Sequence, residues 1–217
     1  REGTEAAGPM RASVSLAHRG TVRIEGTIAL RKRALALEEW TLSLPEQPGA
    51  ATGAVEADFV RGRGRLRIDF HGADLFALAG TRTALSGSVT ARGGPAEFSG
   101  EFSLENRGEG LLAARLSGAV AGGRGRAVLS DLSGRWMDGT LDGRAELAWG
   151  EESAVNASLT AKGLNPSRIS PDWPGRIKLT LRAALEKGAA RPARGTVEGK
   201  LLSSTLRRKA LEGSFRA

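Results

Sequence analysis

Glycine stands in the middle of the apolar face of strand after strand, and no other feature limits the possible folds so strongly. Ala96, Phe98, Gly100, Phe102 and Leu104 share one parity, while Glu97, Ser99, Glu101 and Ser103 share the other. Alternation with a period of two marks a strand with one oily and one wet face. A glycine inside the oily face weakens the strand and signals a bend, a bulge or a close approach. The phrase "apolar, polar, Gly, polar, apolar" recurs at Ile24–Ile28, Leu85–Val89, Leu116–Val120, Val197–Leu201 and Leu211–Phe215. Such repetition predicts an all-β architecture of about fourteen short antiparallel strands with almost no helix.

Taken in order, residues 1–9 read as a loose lead-in, and strands begin at Ala12, Val14 and Leu16. Apolar parity switches between Leu35/Leu37 and Trp40/Leu42/Leu44, which predicts a β-bulge near Glu38–Glu39. Val55, Ala57 and Phe59 read as one strand face, with a turn at Arg61–Gly64. Leu141, Gly143, Ala145, Leu147 and Trp149 read as another, entered through an Asp138-Gly139 hairpin turn. Two stretches interrupt the ladder. Gly72–Gly80 fits about one turn of helix after Asp74, and Gly163–Pro174 is a proline-rich break. They lie about 90 residues apart, which suggests a long-period repeat. The whole of 1–217 reads as one segment of a longer repetitive β-structure, with sub-repeats at 10–161 and 162–217. Any targeting signal or membrane anchor is expected outside it.

The chemistry of a catalyst is missing. His18 and His71 share no motif, and the adjacent pairs Glu38-Glu39 and Glu151-Glu152 send their carboxylates to opposite faces of a strand. Gly62-Arg63-Gly64 and Gly123-Arg124-Gly125 precede no helix, so they lack the N-terminus that would hold a phosphate. No metal-ligand spacing occurs, and there is no cysteine. The expectation is a protein that is not an enzyme and needs no cofactor or metal. The net charge of +8 comes mostly from arginines spread over the polar faces, and Tyr is absent, which weighs against nucleic acid and for a solvated or headgroup-attracted basic face.

What remains is the oily face. The sequence has almost no helix to cover it, and glycine and alanine dilute its Leu, Val and Ile. One solution is an elongated, curved sheet folded into an open trough, with glycines at the inner bend and a hydrophobic groove suited to acyl chains. The other is a sandwich or barrel that buries the face on itself. The trough would be lined by Val22, Ile24, Ile28, Phe98, Phe102, Leu141, Leu147, Val155, Leu159, Ile177, Leu179 and Leu181.

The stretch from Gly163 to Ile177 contains Gly163, Leu164, Asn165 and Pro166, followed by Pro171, Trp173, Pro174 and Gly175. It resembles the recurring "G-L-[ND]-P … P-x-W-P-G-x-[IL]" element of the TamB family, the inner-membrane component of the translocation and assembly module, related to AsmA-like, bridge-like lipid-transfer proteins. Residues Gly72–Gly80 look like a degenerate copy without the Trp-Pro-Gly part. The resemblance implies a periplasmic β-taco, anchored to the inner membrane of a Gram-negative cell. It further implies carriage of phospholipids toward the outer membrane and support of outer-membrane protein assembly with an Omp85-type partner, met outside this segment. The rival of a different class is a structural or adhesive β-solenoid of a secreted surface protein. An outer-membrane barrel fits poorly, for want of aromatic girdles.

Overall fold

The computed structural model describes residues 4–16, 20–43, 49–74, 82–107, 113–150, 152–188 and 194–217. Among them are fourteen strands and a single 3-10 turn, Pro166–Arg168. The chain divides into two units, Arg1–Gly108 and Glu109–Ala217. Unit 1 holds β1 (Thr4–Leu16), β2 (Gly20–Arg31), β3 (Ala34–Ser43), β4 (Ala50–Asp58), β5 (Arg63–Ala73), β6 (Leu85–Gly93) and β7 (Phe98–Asn106). Unit 2 holds β8 (Ala114–Gly123), β9 (Arg126–Trp136), β10 (Gly139–Ala148), β11 (Glu152–Leu164), β12 (Gly175–Gly188), β13 (Arg194–Leu206) and β14 (Lys209–Arg216).

Strand order follows chain order and does not close on itself. Neighbours within each unit pair antiparallel. The sheet is therefore open and antiparallel, as its alternating faces predict. An antiparallel meander has no place for the coils of a β-solenoid, and an unclosed order is not a barrel. No helix among the described residues is long and apolar enough to cross a membrane.

Register makes the alternation continuous from strand to strand. Ile24 lies opposite Leu42, Leu42 opposite Ala51, Ala51 opposite Phe70, Phe70 opposite Gly87 and Gly87 opposite Leu104. In unit 2 one such row runs Leu116, Gly134, Leu141, Ala161, Leu179, Leu201, Gly213. Residues facing one another across a ladder share a face, so each unit carries one apolar and one polar face.

The bulge expected near Glu38–Glu39 is present: the β3 register slips between Leu37 and Trp40, and Glu39 has φ 50. A second bulge, not anticipated, lies in β9, where Asp131 has φ 51 and the register slips against β10. The signal was in the sequence, since Leu129 and Leu132 change parity just as Leu37 and Trp40 do.

Three expectations are corrected. Residues 4–9 are not a lead-in but part of β1, paired with β2, with Pro9 opposite Thr27. The β9–β10 turn is Met137-Asp138, both at positive φ, and Gly139 already pairs with Trp136. Phe59 and Trp149 are not strand-face residues: β4 stops at Asp58 and β10 at Ala148, so both occupy hairpin tips, and Arg63 and Gly64 belong to β5 rather than a turn. The strands are also longer than the apolar phrases suggest, from 8 residues in β14 to 14 in β12. The helical turn expected after Asp74 falls at 75–80, outside the described residues, as does His18.

The two units share a six-strand register. Ile24-Glu25-bulge-Thr27-Ile28 against β3 matches Leu116-Ser117-bulge-Ala119-Val120 against β9. Gly53 lies between Trp40 and Ile68 as Gly143 lies between Leu132 and Leu159. β5 ends at Gly72 (φ 65) and buried Ala73 as β11 ends at Gly163 (φ 70) and buried Leu164, and each is followed by an Asx residue, Asp74 or Asn165.

Candidate functional site

The apolar face is covered very incompletely. Among the described residues no large side chain is fully buried, and the buried apolar residues of this face are mostly alanine, Ala51, Ala73, Ala127 and Ala161, with Trp40 and Leu164; Ala29 and Ala36 are buried on the other face. Ile24, Ile28, Phe98, Phe102, Leu141, Leu147, Val155, Leu159, Ile177, Leu179 and Leu181 are all half-buried. Their neighbours Glu101, Asp142, Arg144 and Arg182 are exposed or ion-paired on the opposite face. The side chain of Val22 lies outside the described residues. Each named residue falls in the apolar rows: Phe102 opposite Val89, Leu147 opposite Val155, Leu159 opposite Leu181, Leu179 opposite Leu201 and Ile177 opposite Leu164.

The role of glycine becomes visible only across the ladder. Gly143 pairs with Leu159, Gly53 with Trp40 and Ile68, Gly199 with Phe215, and Gly195 with Leu185. In each case a large side chain lies down over the glycine. A Cβ on Gly53 would come within 2.8 Å of Trp40 Cζ2, and one on Gly143 within 2.6 Å of Leu159 Cδ2. A Cβ on Gly199 would overlap the Phe215 ring. At Gly53, Gly100, Gly134 and Gly143 a Cβ would also overlap a carbonyl oxygen of the adjoining strand. Strands this close, with side chains lying flat, leave a thin apolar lining rather than an interdigitated core. Trp40 covers Gly53 and packs against Gly26, which leaves its buried indole N–H without a hydrogen-bond partner.

The other face is charged and wet. Arg31 donates to Glu38 at 2.6 Å and Glu56 at 3.4 Å, above buried Ala29 and Ala36. Arg67 pairs with Asp69 at 2.8 Å, and Arg144 with Glu146. Exposed pairs of this kind add little stability. His71 Nε2 lies 3.3 Å from Thr52 Oγ1 on the surface. Among the described residues no three His, Cys, Asp or Glu side chains could hold a metal ion.

The break after β11 is built on its own polar tie. Gly163 turns the chain with φ 70, Leu164 is buried, and Pro166 opens the 3-10 turn, where its missing N–H is not needed. Asn165 accepts the Ser167 N–H at 3.2 Å and donates to Asp138 at 2.9 Å. Arg168 donates two hydrogen bonds to Asp138, at 2.9 and 2.7 Å. The β9–β10 turn is thus fastened to the break. Trp173 is 42% exposed. A Cβ on Gly175 would overlap the Thr205 carbonyl, so β12 can start beside β13 only at a glycine.

Hydrogen bonds from Arg168 and Asn165 hold the Asp138 carboxyl down at about 2, from an ordinary 3.8. A lowered folded-state pKa stabilises above the ordinary value, and that contribution is lost as pH falls from about 4 toward 2. Asp138→Asn keeps a residue suited to φ 63 but removes the charge. Thermal melts should show a gap between wild type and Asp138→Asn that is constant above about pH 4 and closes toward pH 2. A gap that persists unchanged at pH 2 would refute the electrostatic account.

The family described as "TamB, N-terminal domain" matches residues 65–190, more than half of the chain. This span includes the Gly163–Gly175 break and the strands β6 to β12. No curated protein and no solved structure matches the chain. With the glycine-punctuated open sheet and the family match in agreement, the chain belongs to the TamB family.

Proposed function

We propose that the apolar face is a track for phospholipid acyl chains, within a non-enzymatic conduit that needs no cofactor and runs between the inner and outer membranes. Family membership suggests a periplasmic, membrane-associated protein. The observation that carries the proposal is the half-exposed lining: eleven large apolar side chains in continuous rows, none of them fully buried.

Fully burying a Leu, Ile or Phe is worth about 1.5–3 kcal/mol, so each half-covered side chain leaves roughly 1 kcal/mol unrealised. An acyl chain laid along the rows collects it. The chain itself gains about 0.8 kcal/mol per CH₂ on leaving water. Passage from a bilayer to an equally apolar face changes its free energy little, so lipid can move along without being trapped. The inner-membrane anchor and the contact with an Omp85-type partner in outer-membrane protein assembly belong to parts outside these residues. Nucleic acid is not a partner, because the arginines are dispersed and many already pair with carboxylates.

Photo-crosslinking amino acids at Phe102 and Leu147, in cells or with added phospholipid, should label lipid. Placed at Glu101 and Glu146 on the opposite face, they should not. Equal labelling at both parities would sink the proposal.

A further inference from the structure

Exposed apolar side chains are not scattered over the protein. In an antiparallel meander the turns after β2, β4 and β6 lie at one end of unit 1, and those after β8, β10 and β12 at the corresponding end of unit 2. Eight of the ten large apolar residues that stand exposed lie toward this end, four in each unit; Ile169 and Trp173 lie at the other. Phe59 and Val60, at the β4–β5 tip, are the most exposed of all, at 66% and 69%. Leu30 and Leu35 flank the neighbouring β2–β3 tip. In unit 2, Trp149 occupies the β10–β11 tip at 49%.

The tips are tied rather than loose. The Phe59 N–H donates to the Arg33 carbonyl at 2.9 Å, and the Trp149 N–H donates to the Gly125 carbonyl at 2.8 Å. These are equivalent bonds in the shared register, each fastening one tip to the preceding one. Asp58 Oδ1 accepts the Val60 and Arg61 N–H groups, both at 2.9 Å. Aromatic side chains are thus held out into solvent, at the same place in both units, by a specific backbone bond. Cations outnumber acids at this end of unit 1, where Lys32, Arg33, Arg61, Arg63 and Arg92 are exposed against Asp58 and Glu97. In unit 2 Arg124 and Arg126 stand at the tip preceding that of Trp149, while Glu151 and Glu152 follow Trp149 in the sequence and Glu186 is exposed on β12.

We propose that this end of unit 1, marked by Phe59 and Val60, docks on the surface of a bilayer carrying anionic headgroups, and that Trp149 at the equivalent end of unit 2 inserts there in its own right. Aromatic rings settle at headgroup depth, aliphatic side chains reach just below, and Lys and Arg meet the negative surface potential. A polyanion such as nucleic acid would use the cations but has no use for Val60, Leu30 or Leu35. Phe59, Val60 and Trp149 sit at hairpin tips outside the acyl-chain track, whereas Leu30, Leu35 and Leu185 continue its apolar face to this end.

The test is co-sedimentation of the chain with phosphatidylcholine vesicles, with and without phosphatidylglycerol. Wild type should bind the anionic vesicles, far less the neutral ones, and release in high salt. Phe59→Ser with Val60→Ser and Trp149→Ser should weaken binding about tenfold or more, while Ile169→Ser with Trp173→Ser at the opposite end should not. Phospholipid that co-purifies with the chain should be unchanged in the tip variant, so failure here is separable from failure of the acyl-chain reading. If the tip variant folds poorly, Phe59→Trp supplies the readout: its fluorescence should add quenching by brominated lipid beyond that of wild type. No binding to anionic vesicles, equal loss from both sets of variants, or binding that heparin abolishes and the tip substitutions leave intact would each overturn the proposal.

Discussion

Gly143→Ala is expected to lower the melting temperature by about 4–8 °C, although it adds a single methyl group to a strand. The new carbon would overlap the Ser158 carbonyl oxygen and lie 2.6 Å from Leu159 Cδ2. The obstacle is the backbone of β11, which cannot swing aside as a side chain tip can. Overpacking of this kind costs about 1–3 kcal/mol, and each kcal/mol moves the midpoint by about 2–4 °C for a chain of this size. Two further glycines calibrate the result. At Gly199 the carbon would meet only the ring of Phe215, itself about half exposed and free to move, so Gly199→Ala should cost well under half as much. At Gly213 nothing lies within 4 Å, and Gly213→Ala should be neutral or slightly stabilising, because alanine loses less backbone entropy. Circular dichroism melts of the three variants should therefore rank Gly143, Gly199, Gly213. If Gly143→Ala and Gly213→Ala melt alike, glycine is not there for close approach.

That ranking could not have been read from the sequence, and the reason is physical. Every one of these glycines sits in the same local phrase, so parity alone treats them as equivalent. What separates them is the residue across the ladder, which depends on register, and register depends on where bulges fall. The β3 bulge was legible because Leu37 and Trp40 break parity beside two glutamates. The β9 bulge carried the same parity break at Leu129 and Leu132, but Asp131 lies in a run that also reads as plain alternation. Strand class, and the strand count among the described residues, follow from local pattern and hold. Phe59 and Trp149 fail together for one cause. Each continues the alternation of its strand by one step, and each is taken off it by a bond to the preceding hairpin tip. Such a bond joins residues 26 or 24 positions apart, beyond the reach of a period-two pattern.

The same limit explains the long-period repeat. Trp40 and Leu132, or Phe70 and Ala161, occupy equivalent places in the two units but share no chemistry beyond being apolar. Glycine is kept at the equivalents Gly26 and Gly118, Gly53 and Gly143, Gly72 and Gly163, while few other residues are, among them Leu37 with Leu129 and Arg23 with Arg115. The glycine offsets of 92, 90 and 91 residues drift with hairpin length, so a fixed-period comparison blurs them. A thin lining tolerates exchange of one apolar side chain for another, because nothing interlocks above it. It does not tolerate a side chain where the backbones nearly touch.

A lining of that kind should accept a charge when empty and reject a lipid when charged, which is the second large effect. Leu181 lies between Leu159 and Gly199 in the apolar row and is half-buried. In Leu181→Asp the carboxylate stays hydrated while the face is unoccupied, so the fold should lose only about 1–2 kcal/mol of partial burial. An acyl chain laid across it would strip that water from an unpaired charge, at a cost of several kcal/mol. Every 1.4 kcal/mol is a factor of ten, so phospholipid retained by the purified chain should fall at least about tenfold. Arg182→Asp, one residue on and facing the other way, changes charge more but should leave retention unaltered. Native mass spectrometry of the two variants and wild type, purified side by side, measures the difference directly. A well-folded Leu181→Asp that keeps its full complement of lipid would mean that acyl chains do not travel along this face, however greasy it is.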